Sequence, residues 1–226
     1  MSRPFTTEEQ EKILTHLRNT GCHRDALLLE MGSYLGFRIS ELLSLKVEDV
    51  ADAGVARDEI IVSRRNLKGG KGAHRRAVHS RRIVVPERLR HALTGYLQRK
   101  PLLPGSYLYQ SRENGNCPIC RSQAHRIIVG AATAVGVHDR IATHSMRKAF
   151  VKRIYEISGH DLVKTQRIVG HRSPLTTARY LETDQADLDA LVRSQDGAFR
   201  EPAKGQTTPS LQALPPVPPV DDRLSA

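Results

Sequence analysis

The sequence predicts an α+β fold, mainly α-helical with one small antiparallel β-sheet. Apolar residues recur at helical spacing through most of the 226 residues. Only two runs read as strands, Glu59-Ile60-Ile61-Val62 and Arg82-Ile83-Val84-Val85. Between them lie Gly69, Gly70 and Gly72, which suit the long tip of a β-hairpin.

The elements follow in order. Thr6 with Glu9, or Thr7 with Gln10, forms a capping box that starts a first helix, whose inner stripe is Ile13, Leu14 and Leu17. Arg24 to Leu35 is apolar on most faces and predicts a buried helix. Gly36-Phe37-Arg38 breaks it, and a helix over Ser40–Leu45 follows, capped by Ser40 or beginning just before it. After the hairpin, Pro86 sits in the first turn of a helix running to about Lys100. Further helices are predicted over Ser122–Val135, His144–Ile157, Leu162–Val169, Pro174–Leu181 and Asp184–Val192. From about Gly197 the character changes, and six of the twelve prolines fall in the last 27 residues. The expected organisation is one domain over 1–195 and a Pro-rich, disordered tail over 196–226.

Composition narrows the partner. Lys and Arg number 35 against 24 Asp and Glu, a formal charge of +11. Such a surplus points to a polyanion, either nucleic acid or an acidic membrane surface. No apolar run approaches the roughly 18 residues that span a bilayer, and Met1 to Glu11 has no apolar signal core. Three cysteines argue against a disulfide framework. A cytoplasmic, nucleoid-associated protein is expected. With Trp absent and aromatics few, the core must be built mainly from Leu, Ile, Val and Ala.

Four local patterns carry the chemistry, each of which has a plain structural reading when taken alone. Arg38, at a glycine-loosened break between two apolar helices, suits either an ion pair with Glu41 or a ligand phosphate. The hairpin carries Arg64, Arg65, Lys68, Lys71, Arg75, Arg76, Arg81 and Arg82 without one acid. It is either a solvated basic loop or, as we favour, a track for DNA phosphates. His144 and Arg147, three apart, share one helix face. Gly170-His171 ends one helix, and Tyr180 sits about two turns into the next, where a tyrosine ordinarily packs half-buried.

Together the four form a phosphoryl-transfer kit. Phosphodiester cleavage needs a nucleophile, a clamp for charge developing on the non-bridging oxygens, and an acid for the leaving oxygen. Ionising a tyrosine at neutral pH costs about 4 kcal/mol, which a dense positive site lowers. Two arginines supply a bidentate clamp, and a lysine can protonate the departing oxygen. Such a site uses no metal, and the sequence shows no carboxylate cluster suited to Mg²⁺.

In Gly36-Phe37-Arg38-Ile39-Ser40-Glu41-Leu42, His144-Ser145-Met146-Arg147, and Gly170-His171 with Thr177 and Tyr180, the chain resembles the tyrosine recombinases, or phage integrases, from about Thr7 to Asp189. The resemblance implies that family's catalytic-domain fold. It implies Arg38 and Arg147 as the phosphate clamp, His144 as an aid to proton transfer at the nucleophile, and His171 as a donor to the scissile phosphate. Tyr180 would form the 3′-phosphotyrosine. Lys68 would be the general acid, with Lys71 as its competitor, and Glu41 would orient its neighbours. No ATP or other cofactor is implied, because the phosphotyrosine keeps the energy of the cleaved bond. The implied partner is double-stranded DNA. The implied assembly is a homo-tetramer on two duplexes, a monomer or weak dimer when free, with accessory DNA-bending proteins. Family members usually carry an N-terminal clamp domain, and the sequence is similar to the short fimbrial phase-variation recombinases that lack one.

Other readings remain at this point. Cys117-Pro118-Ile119-Cys120 is half a zinc motif, but Cys22 and His125, the available helpers, lack the usual spacing. A type IB topoisomerase shares the fold and chemistry. A non-catalytic DNA-binding regulator would be marked by a lost catalytic residue, yet every position is filled. A membrane-surface protein is disfavoured, because the basic segment reads as a glycine-rich hairpin, not an amphipathic helix.

Overall fold

The computed structural model describes residues 2–62, 80–113, 115–171, 173–181, 189 and 192–194. The chain divides into two units, Met1–Glu182 and Thr183–Ala226. In the second, Asp189 and residues 192–194 are helical. The rest of the helix expected over Asp184–Val192, and the tail over 196–226, lie outside the described residues.

The first unit is mainly helical. It contains α1 (Thr7–Asn19), α2 (His23–Leu35), α3 (Ile39–Leu43), α4 (Val47–Val50), β1 (Ala51–Asp52), β2 (Val55–Ala56), β3 (Glu59–Val62), β4 (Arg81–Val84), α5 (Glu87–Arg99), α6 (Arg121–Ala134), α7 (Thr143–Ile157), α8 (Leu162–Val169) and α9 (Pro174–Ala178). None of the described helices is long and apolar enough to cross a membrane.

α1 begins with the expected capping box. The Glu9 amide donates to the Thr6 hydroxyl at 3.1 Å, and the Thr6 amide donates to the Glu9 carboxylate at 2.9 Å. Arg3 then holds Glu9 and Asp139 together, fixing the chain start to the loop before α7.

α2 is the central helix. It is apolar nearly all round because α1, α5 and α7 all pack on it. The approach to α7 is close, since a Cβ on Gly32 would lie 2.6 Å from the Met146 sulfur. α2 ends at Gly36, whose φ of +60° is left-handed and favours glycine. The core is mainly Leu, Ile, Val and Ala, as composition required, with Met31, Met146 and a few aromatic side chains.

β3 and β4 pair antiparallel, with Glu59 opposite Val84 and Val62 opposite Arg81. The pleat turns Ile60, Val62, Ile83 and Arg81 to one face.

Several boundaries differ from expectation. α3 begins at Ile39, just before Ser40, where the Glu41 carboxylate accepts the Arg38 amide at 2.9 Å, but it ends at Leu43 and not Leu45. Pro86 precedes α5 and does not sit in its first turn. α9 stops at Ala178, and the Tyr180 and Leu181 amides donate to the carbonyls of Thr177 and Ala178 in tighter turns. Tyr180 therefore stands just past the helix, not within it. α4 and the β1–β2 hairpin were not expected. The half-zinc segment has a structural use, because Cys120 caps α6 by accepting the Gln123 amide at 3.4 Å. Among the described residues no group of three His, Cys, Asp or Glu side chains is placed to hold a metal.

Candidate active site

Two helices aim their C-terminal ends at one point. α2 ends at Leu35 with Gly36 beyond it, and α8 ends at Val169 with Gly170, at φ +71°, beyond it. A helix C-terminus leaves carbonyls without intrahelical partners and carries partial negative charge. Two arginines take up these carbonyls. Arg147, from α7, is 1% exposed and donates to Gly36 O and, at 3.3 Å, to Val169 O. Arg81, from β4, donates through one terminal nitrogen to Leu35 O and Ile168 O, each at 3.4 Å.

Arg38 follows α2 by three residues. Its guanidinium pairs with Glu41 at 2.9 Å, and Glu41, only 1% exposed, also accepts its amide. The ion pair and the phosphate-facing reading are thus compatible, because the carboxylate fixes one edge of a partly exposed guanidinium.

His171 follows α8 by two residues. Its Nδ1 shares a 3.0 Å hydrogen bond with the buried Thr177 hydroxyl, while Nε2 is buried without a partner. Tyr180 completes the group. Its ring centre lies 5.1 Å from that of His144, 4.9 Å from that of His171, and 6.0 Å from the Arg147 guanidinium carbon.

The pocket is strongly positive. Among the described residues named here, Arg38, Arg81 and Arg147 face a single carboxylate, Glu41. Burial, then Arg147, Arg38, Arg81 and His144, push His171 down to about 3. Burial, then Arg147, Lys148 and Arg38, lower His144. Arg147 is itself lowered, first by burial and then by Arg38. Both imidazoles are therefore neutral at physiological pH, able to donate from one nitrogen and accept at the other. The arrangement can bind an anionic tetrahedral centre against the tyrosine.

Of the residues expected in the site, Arg38, Glu41, His144, Arg147, His171 and Tyr180 are brought together. Lys68, and the basic residues Arg64, Arg65, Lys71, Arg75 and Arg76, lie outside the described residues. The two last cations of the hairpin do not belong to an uncompensated track. Arg82 is exposed and pairs with Glu59 on the neighbouring strand. Arg81 turns inward to the helix ends. Its signal was parity, since it sits two residues before Ile83 and so shares that residue's buried face. Thr177 stands in the sequence motif, but its bond to His171 appears only in the fold.

Known proteins match this chain in sequence and in fold. The model of the "Phage integrase family" matches residues 3–187. The probable integrase/recombinase YoeC of Bacillus subtilis (strain 168) is 31% identical over 178 residues, covering 79% of this chain and 87% of YoeC. The tyrosine recombinase XerA of Pyrococcus furiosus is 27% identical over 187 residues, covering 82% of this chain and 59% of XerA. In structure the chain is similar to a XerA recombinase, with a TM-score of 0.65 and 22% identity over 89% of this chain and 66% of that one. It is also similar to XerH bound to a palindromic difH substrate in a post-cleavage complex, with a TM-score of 0.63 and 20% identity over 86% of this chain and 53% of that one. The match spans nearly the whole first unit and takes in every residue gathered around Tyr180, so the chain belongs to the phage integrase family, the tyrosine recombinases.

Proposed function

We propose that this chain is a site-specific DNA recombinase that cuts and rejoins double-stranded DNA through Tyr180. The observation that carries this reading is the enclosure of the Tyr180 ring by His144, His171 and Arg147.

The Tyr180 oxygen attacks the phosphorus, the phosphorus–5′-oxygen bond breaks, and a 3′-phosphotyrosine remains. Neutral His144 can accept the phenolic proton. Arg38 and Arg147 bind the non-bridging oxygens, whose charge grows in the transition state. His171 can donate Nε2–H to the same oxygens when the Thr177 hydroxyl donates to Nδ1. Lys68 hands a proton to the 5′-oxygen, with Lys71 the alternative. Rejoining reverses these steps, as a 5′-hydroxyl attacks the phosphotyrosine and the tyrosine recovers its proton. The bond energy is conserved throughout, so the reaction draws on no ATP.

The finer reading is a homo-tetramer on two duplexes, built on a catalytic domain over 1–195, with Asp184–Val192 passed between subunits and DNA-bending proteins assisting. The hairpin arginines Arg64, Arg65, Arg75 and Arg76 would lie on DNA phosphates, and the protein would work at the nucleoid in the cytoplasm.

The test is incubation with nicked suicide duplexes tiling the DNA that flanks the gene. Wild type should form a covalent protein–DNA adduct. Tyr180→Phe should form none while keeping its DNA affinity within about threefold, as expected for a group used only in the chemical step. An adduct from the Phe variant would show that another residue attacks.

A further inference from the structure

Arg81 stands outside the residue set from which the mechanism was built, yet it is the outer member of a two-arginine arrangement. Four carbonyls lie at the ends of α2 and α8, those of Leu35, Gly36, Ile168 and Val169. Arg147 takes Gly36 and Val169, and Arg81 takes Leu35 and Ile168. The two guanidiniums thus bridge the same pair of helix ends, one residue apart on each helix.

Two helix C-termini brought together repel through their partial negative charges. A planar guanidinium suits such a junction, because it can donate to both sides at once. The gap between the two ends matters to the chemistry. Arg38 begins three residues beyond Leu35, and His171 three residues beyond Ile168. Whatever sets the spacing of the ends sets the spacing of these two groups.

The stem of Arg81 is held as firmly as its head. Its guanidinium carbon lies 5.8 Å from the centre of the Phe37 ring. Its Cδ packs close over Gly170, where a Cβ would lie 3.3 Å from it, a tight contact. Its Nε is buried without a partner, and burial, ahead of Arg147, lowers its pKa to about 10. It therefore stays charged at neutral pH despite a costly position.

We infer that Arg81 is a positioning residue for strand cleavage, strapping the carbonyl ends of α2 and α8 together so that Arg38 and His171 converge on one phosphate. This rests on the recombinase reading above and assigns Arg81 no contact with DNA.

The experiment is single-turnover cleavage of the nicked suicide duplexes by wild type, Arg81→Met and Arg81→Lys. Methionine keeps the apolar stem, and lysine keeps the charge but cannot bridge two carbonyls. Arg81→Met should lower the rate constant by about 10- to 100-fold at an unchanged final amount of adduct, the penalty expected for small misplacements of reacting groups. Arg81→Lys should recover only part of that loss. A purely structural role would reduce the final amount of adduct, through fewer folded molecules, and leave the rate constant alone. That outcome, a Met variant within about threefold of wild type, or full recovery by lysine would each overturn the inference. If wild type forms no adduct with any duplex, the recombinase reading fails instead.

Discussion

His171 and Thr177 share a hydrogen bond of 3.0 Å between Nδ1 and the threonine hydroxyl, across the turn that joins α8 to α9. The bond orients the imidazole, as outer partners fix histidines in other sites, and Nε2 is left without a protein partner. Thr177 is fully buried, so no water can take its place. Thr177→Val should therefore slow adduct formation by about 10-fold or more, as for loss of an outer-shell partner, and Thr177→Ser should restore most of the rate. Stopped-time assays with the nicked duplexes would check this, and equal rates for Val and Ser would contradict it.

Glu41 anchors Arg38 twice, through the side chain and through the amide. Glu41→Gln removes the one carboxylate among three guanidiniums. The DNA-free protein should lose about 1.5–3 kcal/mol, the range for hydrogen bonds to charged groups. Urea denaturation with and without DNA would measure it. DNA should recover part of the loss, because its phosphates supply the missing negative charge.

Gly36 cannot be replaced cheaply. Its left-handed backbone disfavours a side chain, and a Cβ there would meet Phe150 at 2.1 Å. Gly36→Ala should cost at least about 2 kcal/mol, combining backbone strain with overpacking. It should also displace the carbonyl that Arg147 holds. A denaturation midpoint close to wild type would show that the α2–α7 junction yields more than its packing suggests.

Stability should depend on pH through His171. Folded, it takes a proton only near pH 3, whereas an unfolded histidine does so near about 6.5. Between these values the unfolded chain binds the extra proton, so acid favours unfolding. Stability is full above the upper value and falls as pH drops through the window. His144 is shifted in the same direction. Urea midpoints at pH 7 and pH 5 should therefore differ more for wild type than for His171→Asn. Equal differences would mean that His171 is more accessible to protons than its burial implies.

Much of this site was legible because its residues come in short motifs tied to helix ends. Glycine at 36 and at 170 marks where a helix must stop, and Arg38 and His171 follow those stops directly. His144 and Arg147 declare a shared face by their spacing. The parts that could not be read depend on contacts remote in sequence. Nothing local says that Arg81 ends on carbonyls of residues 35 and 168, because its neighbours in sequence are exposed or basic. Thr177 is an ordinary helix residue until His171 folds back on it. α4 and the β1–β2 hairpin span too few residues to show a period. The early end of α9 follows from tight turns at Tyr180 and Leu181, which no propensity marks.

The nearness of Tyr180 to Arg147 within one polypeptide has a bearing on how labour is shared in an assembly. Each copy holds its own proposed attacker beside its own proposed anion grip. If the recombinase acts as a multimer, mixing Tyr180→Phe copies with Arg147→Ala copies should restore no cleavage, and recovered adduct in such a mixture would show that the two groups come from different copies.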